Sequence, residues 1–200
     1  MADPPADDAA IIRQSRESPE AFALLYDRYA ADIHRYAARR LGEEVADDLT
    51  AETFLIAFRN RSRYDTDRAG ARPWLYGIAA NLIGRHRRRE VRALRALART
   101  GRDPVAASWT DWVDGADSRV AAQAASARLA GALAGLSGGD RHALLLVAWA
   151  DLSYQEVAQA LSIPVGTVRS RLNRARRKVR AALGGDPTLA ADPAEATSHG

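Results

Sequence analysis

The chain has 200 residues, enough for one ordinary domain or two small ones, and its 47% of hydrophobic residues suffice to bury a core. It contains no cysteine, so disulfides and thiolate metal sites are excluded, and its four histidines (His34, His86, His142 and His199) are scattered and form no ligand motif. The formal net charge is only +4, yet the pI is near 9.8, with Lys178 the sole lysine among 29 basic residues.

The longest apolar run, Ala143 to Ala150, falls far short of the roughly 20 residues a membrane helix needs. The first ten residues carry Asp3, Asp7 and Asp8 and no base, the opposite of a secretory leader, so a cytoplasmic protein is expected. Every periodic segment reads as helix, and none alternates with period two. Ser18-Pro19 marks a helix start; the helix carries Phe22, Leu25, Tyr26, Tyr29, Ile33 and Tyr36 at three- and four-residue steps and stops at Gly42. A second helix is expected from about Glu44 to Asn60, then a polar turn from Arg61 to Ala71. Pro73 opens a third, which the pattern carries through Trp74, Leu75, Ile78, Leu82 and Ile83 into an arginine block.

From about Arg99 to Asp117 no period survives, and Gly101, Pro104 and Gly115 interrupt the chain, so a flexible linker bearing Trp109 and Trp112 is expected. Helical periodicity returns near Arg119 and runs to Leu136. Asp140 is expected to cap an apolar helix, and Ser153 and Glu156 form an S-x-x-E capping box for the next. The turn Ser162-Ile163-Pro164 leads into a last helix from Val165 to Leu183, stopped by Gly184-Gly185. The expected organisation is all-α. It comprises an N-terminal segment (1–14), a helical bundle (15–97), a linker (98–118), a second helical domain (119–183) and a disordered tail (184–200).

Charge is unevenly distributed. Glu43, Glu44, Asp47, Asp48 and Glu52 form an acidic run. Arg85, Arg87, Arg88, Arg89, Arg92, Arg95, Arg99 and Arg102 form a basic block broken only by Glu90, and a second block runs from Arg169 to Arg180 with no acid inside it. Two basic blocks on separate amphipathic helices suggest two contacts with one polyanion. Two short helices joined by a tight turn suggest a helix-turn-helix. On its second helix Val165, Val168, Leu172, Ala175, Val179 and Leu183 share one stripe, leaving Thr167, Arg169, Ser170, Asn173, Arg174 and Arg177 on the other faces. Arginine suits guanine O6 and N7 and asparagine suits adenine N6 and N7, so such a face fits a major groove. Arg169, Ser170, Asn173 and Arg174 are expected at bases or nearby phosphates, and Arg177 and Lys178 at the backbone. No catalytic triad, phosphate loop or metal-ligand cluster is present, and no enzymatic role or cofactor is expected.

The stretch Leu152-Ser-Tyr-Gln-Glu-Val-Ala through Ile163-Pro-Val-Gly-Thr-Val-Arg-Ser-Arg-Leu-Asn-Arg-Ala-Arg176 closely resembles region 4 of extracytoplasmic-function sigma factors. Asp47-Asp48-Leu49-Thr50-Ala51-Glu52-Thr53-Phe54 resembles the region 2 helix that binds core RNA polymerase. Arg72-Pro73-Trp74-Leu75-Tyr76-Gly77-Ile78-Ala79-Ala80-Asn81 resembles the segment that opens the promoter bubble. The resemblance covers about residues 15 to 90 and 120 to 182 and implies a division of labour. Asp47, Asp48, Glu52 and Phe54 would dock on the β′ clamp helices of core polymerase. Arg63, Asp65, Trp74, Asn81, Arg85 and Arg88 would hold the melted minus-10 bases and their strand. Thr167, Arg169, Ser170, Asn173, Arg174, Arg177 and Lys178 would read the minus-35 duplex, with region 4 also touching the β flap. The linker would thread the polymerase cleft, and an anti-sigma factor is an expected further partner. Many relatives carry Asp shortly after this asparagine where Gly84-Arg85 stands here, which removes a local acid and adds positive charge. A helix-turn-helix also fits a stand-alone transcriptional regulator, which would grip duplex DNA without polymerase.

Overall fold

The computed structural model describes residues 7–67, 70–100 and 116–184. Within them the chain forms nine α-helices and no strand, in keeping with the all-α expectation. They are α1 (Asp8–Gln14), α2 (Ala23–Leu41), α3 (Glu43–Asn60), α4 (Arg72–Arg85), α5 (Arg87–Thr100), α6 (Ala116–Ala134), α7 (Gly138–Ala150), α8 (Tyr154–Leu161) and α9 (Val165–Ala182). Trp109, Trp112 and most of the expected linker and tail lie outside the described residues.

Helix α2 buries Leu25, Ile33, Tyr36, Ala37 and Leu41, and α3 buries Ala46, Leu49, Thr53, Phe54 and Ala57. These three- and four-residue steps give each helix one apolar face, and the faces meet. Gly42 permits the immediate reversal between them: its φ of +89° costs no Cβ clash, and its N–H donates to the Ala38 carbonyl at 2.8 Å. Ser18 does not cap by its side chain; Pro19–Phe22 forms a 3₁₀ turn and α2 begins at Ala23. Helix α1 falls in the stretch read as an N-terminal segment, yet Ile11 and Ile12 are among the most buried side chains of the protein.

The helix expected to run unbroken from Pro73 into the arginine block is instead two. His86 closes α4 with φ −89° and ψ 14°, and α5 starts at Arg87. The break has a physical reason. It turns Glu90, the one acid in the block, into the interior, where its side chain is 4% exposed. There it meets Arg40 of α2 (Nη2 to Oε1, 2.5 Å) and Arg141 of α7 (Nη1 to Oε2, 3.4 Å), both 0% exposed. Arg40 also donates to the Tyr36 hydroxyl at 2.6 Å, and Arg141 to the Leu136 carbonyl at 3.1 Å.

This charged knot lies where an N-terminal unit (α1–α5) meets a C-terminal unit (α6–α9). The two share a continuous hydrophobic core, with α6 along α5 and α8 across α4. Gly77 of α4 makes that crossing possible: a Cβ there would stand 2.4 Å from the Ala160 carbonyl oxygen of α8. Arg72 adds a bond across the junction, from Nη2 to the Ala150 carbonyl at 2.6 Å.

His142 completes the junction, its Nδ1 3.3 Å from Arg40 Nη1. Burial first, then the charges of Arg40, Arg141 and Arg171, pull its pKa from 6.5 down to about 3. Folded His142 is therefore neutral, whereas the unfolded chain takes up a proton below pH 6.5. The stability it contributes is complete above that pH and is lost as pH falls toward the folded value. Between pH 6.5 and 5, before most carboxylates titrate, stability should fall by up to about 1.4 kcal/mol per pH unit from this group. Urea unfolding of the His142→Gln variant should show a flatter slope across that window; an unchanged slope contradicts the assignment.

Candidate nucleic-acid and polymerase interfaces

The recognition face is built by α8 and α9. Ser153 Oγ accepts the Glu156 N–H while the Glu156 carboxylate accepts the Ser153 N–H at 2.8 Å, the reciprocal capping box expected from the sequence. Ser162 ends α8 in the left-handed conformation, φ 52°, and the Ile163 N–H closes back on the Ala158 carbonyl at 3.0 Å. That turn sets the angle at which α9 departs. Val157 and Ala158 of α8 and Val168, Leu172, Ala175 and Val179 of α9 are buried. Arg169, Ser170, Asn173, Arg174, Arg177 and Lys178 are exposed together on the opposite side, and Thr167 is half-buried at the helix start.

Two of these are held in place. Arg174 Nη2 donates to Asp140 Oδ1 at 2.9 Å, and the Ser170 hydroxyl donates to the Thr167 carbonyl at 3.0 Å. Asp140 sits in the first turn of α7 and is buried. Burial raises its pKa, but hydrogen bonds from Arg174 and Ser137 and the charges of Arg174 and Arg171 outweigh that, so it lies below its usual value. The cap of α7 is Ser137, whose Oγ accepts the Asp140 N–H; Asp140 was expected to be the cap and instead pairs with the recognition helix.

A second site lies between α4 and the end of α3. Arg63, Asp65, Trp74 and Asn81, brought from two segments, line one cleft of about 330 Å³. Arg63, Asp65 and Asn81 are exposed and Trp74 is half-buried. Tyr64 braces the floor: its ring lies 4.7 Å from that of Trp74, and its hydroxyl donates to the Gly70 carbonyl at 2.8 Å. The far wall belongs to the C-terminal unit, with Gln159, Ala160 and Ser162 at the end of α8. Arg85 and Arg88 are exposed at the α4–α5 junction and do not line the cleft; Arg85 Nη1 lies 3.4 Å from Glu52 Oε1.

The acidic run occupies the outer face of α3. Asp47, Asp48 and Glu52 are exposed, and Asp47 Oδ1 lies 3.0 Å from His34 Nε2. Phe54, expected on the same surface, is only 5% exposed and packs edge-on against Tyr26 with ring centroids 4.9 Å apart. The large apolar side chains presented to solvent on these helices are Leu24 and Tyr26 on α2 and Leu55 on α3. Leu55 went unremarked in the sequence; the signal was an apolar residue off the buried stripe. Among the described residues, no helix is long and apolar enough to cross a membrane, and no group of acidic or histidine side chains is placed to hold a metal ion.

Comparison with known proteins agrees with this arrangement of two units. Sigma-70 region 2 matches residues 25–103, and Sigma-70 region 4 matches residues 126–179. The RNA polymerase sigma factor NccH of Alcaligenes xylosoxydans xylosoxydans is 31% identical over 92% of this chain and 97% of its own length. The ECF RNA polymerase sigma factor SigC of Mycobacterium tuberculosis is 34% identical over 72% of this chain and 74% of its own. Among solved structures, CnrH in complex with the cytosolic domain of CnrY superposes with a TM-score of 0.61 at 26% identity, covering 90% of this chain and 98% of CnrH. The chain therefore belongs to the sigma-70 family of RNA polymerase sigma factors, in its extracytoplasmic-function class. It is a sigma factor that directs the initiation of transcription; a stand-alone regulator is not favoured.

Proposed function

We propose that this sigma factor grips a promoter at two places while its α3 surface holds core RNA polymerase. Region 4 would read the minus-35 duplex through Thr167, Arg169, Ser170, Asn173 and Arg174, with Arg177 and Lys178 on the backbone. Region 2 would take the melted minus-10 strand into the cleft of Arg63, Asp65, Trp74 and Asn81, and Arg85 and Arg88 would attract the strand beyond it. Extruding a base costs a few kcal/mol, which stacking and a basic groove offset. Asp47, Asp48 and Glu52 would meet the β′ clamp helices, with Phe54 beneath holding the shape of that surface, and region 4 would also touch the β flap. Two modest sites on one polymerase reinforce each other through high effective concentration. The nucleotide chemistry belongs to core polymerase and the chain is no enzyme; it would act in the cytoplasm, and an anti-sigma factor would be its regulator.

The observation that supports the reading is that Arg63 and Asp65 of the turn and Trp74 and Asn81 of α4 line one cleft. Alanine at Arg169, Ser170, Asn173 and Arg174 together should abolish start-site selection in reconstituted transcription and leave polymerase affinity within about twofold. Asp48→Ala should do the reverse. Loss of polymerase binding by the α9 variant contradicts the assignment.

A further inference from the structure

Helix α1 contributes a buried carboxylate, Asp8, that no motif marks. Asp8 is 4% exposed. Its Oδ2 accepts two hydrogen bonds, from the Ala71 backbone N–H at 2.7 Å and from the Tyr29 hydroxyl at 2.7 Å, and its Oδ1 pairs with Arg28 Nη1. Arg28 and Tyr29 are neighbours on α2, and Ala71 stands at the start of α4, so Asp8 ties α1 to both helices.

Ala71 stands at the hinge between the polar turn and α4, at the N-cap position, and has no side chain with which to cap. Its N–H is buried and needs an acceptor. One residue earlier, Gly70 has φ +76°, and its carbonyl accepts from Tyr64, the side chain that floors the cleft. The peptide between Gly70 and Ala71 is thus clamped from both sides, by Tyr64 at its oxygen and by Asp8 at its nitrogen. Downstream of that clamp α4 carries Trp74 and Asn81; upstream the turn carries Arg63 and Asp65. Arg28 balances the buried charge, and Tyr29, whose pKa burial and Asp8 raise to about 12, stays a donor at every physiological pH.

We infer that Asp8 is a positioning residue for promoter reading: through the Ala71 N–H it fixes the start of α4 against the turn and so sets how Trp74 and Asn81 stand relative to Arg63 and Asp65 in the minus-10 cleft. It touches no base itself. The inference rests on the minus-10 reading of that cleft, and the test separates the two.

Holoenzyme assembled from core polymerase and full-length chain carries Asp8→Ala, Asp8→Asn, Tyr29→Phe or Asn81→Ala. The probes are a single strand spanning the minus-10 segment of a promoter selected by the unaltered holoenzyme, a scrambled strand of equal length, and the minus-35 duplex. Asp8→Ala should lose about tenfold or more of the discrimination between the two strands, with core and minus-35 affinity within about twofold of the parent. Asp8→Asn, which keeps an oxygen for the Ala71 N–H, should restore most of it, and Tyr29→Phe should fall between. If Asn81→Ala loses discrimination and Asp8→Ala and Tyr29→Phe keep it, the role of Asp8 is refuted and the cleft stands. If Asn81→Ala keeps it too, the cleft reading falls. If the Asp8 variants lose all three affinities alike, Asp8 only supports the fold and the inference is overturned.

Discussion

Glu90→Ala should lower the melting temperature by about 10 °C or more, the largest single-residue effect expected in this protein. The carboxylate stands between two guanidinium groups, Arg40 and Arg141, whose side chains are fully buried. Removing it leaves two like charges facing each other away from water with no counter-charge. Breaking a buried pair in this way typically costs about 3–5 kcal/mol, a large share of the 5–15 kcal/mol that holds a domain folded. Arg40 would retain the Tyr36 hydroxyl and Arg141 the Leu136 carbonyl, but neither neutralises charge. The same reasoning predicts a contrast. Replacing all three groups with apolar residues of matched volume should recover much of the loss, because the knot's desolvation cost disappears along with its attraction. Calorimetry of the single and triple variants separates the two; a drop under about 3 °C for Glu90→Ala contradicts the account.

Gly77→Ala should force the two regions apart without harming the helix that carries it. Alanine is the better helix former by about 1 kcal/mol, so α4 itself gains. Its Cβ, however, would meet the Ala160 carbonyl oxygen at 2.4 Å and the Ala160 carbonyl carbon at 3.1 Å. These are backbone atoms inside α8 and cannot swing aside as a flexible side chain would. The clash is relieved only by moving the whole of α8, at about 1–3 kcal/mol for an overpacked contact. Since Gln159, Ala160 and Ser162 wall the cleft that Asn81 and Trp74 also line, displacing α8 widens that cleft. The variant should therefore show a larger radius of gyration by small-angle scattering, and faster hydrogen exchange along α8. It should also bind single-stranded promoter DNA more readily than the unaltered free chain. Unchanged scattering and unchanged binding would show that the contact is not what closes the junction.

The local architecture was legible because it rests on short-range rules. Apolar residues three and four apart gave α2, α3 and α9, Gly42 gave a helix end, and Ser153 with Glu156 gave a capping box that the structure forms in full. Half of the cleft was legible for another reason: Trp74 and Asn81 lie seven residues apart in one recognisable motif, on one helix. What could not be read depends on partners far away in the chain. Glu90 looked like a lone interruption in a basic run, and only its 50-residue reach to Arg40 explains the break at His86. Asp8 acts on a backbone amide 63 residues on, and backbone amides leave no trace in composition or periodicity. Phe54 was expected on the polymerase surface because it shares a motif with Asp48, yet it belongs to the buried face of α3, and its neighbour Leu55 points outward. Charge pattern alone told where positive potential lies, not which arginines are committed. Arg174 is tied to Asp140, whereas Arg141, the next residue on α7, spends its charge inside.

The most direct measurement of the central claim is start-site mapping of transcripts made by core RNA polymerase with and without this chain on genomic fragments. Gel-shift of the chain alone on the same fragments runs alongside. The account predicts discrete start sites that appear only with the chain present, and little duplex binding by the chain on its own. A chain that fails to associate with core polymerase yet seizes duplex sites unaided would contradict it.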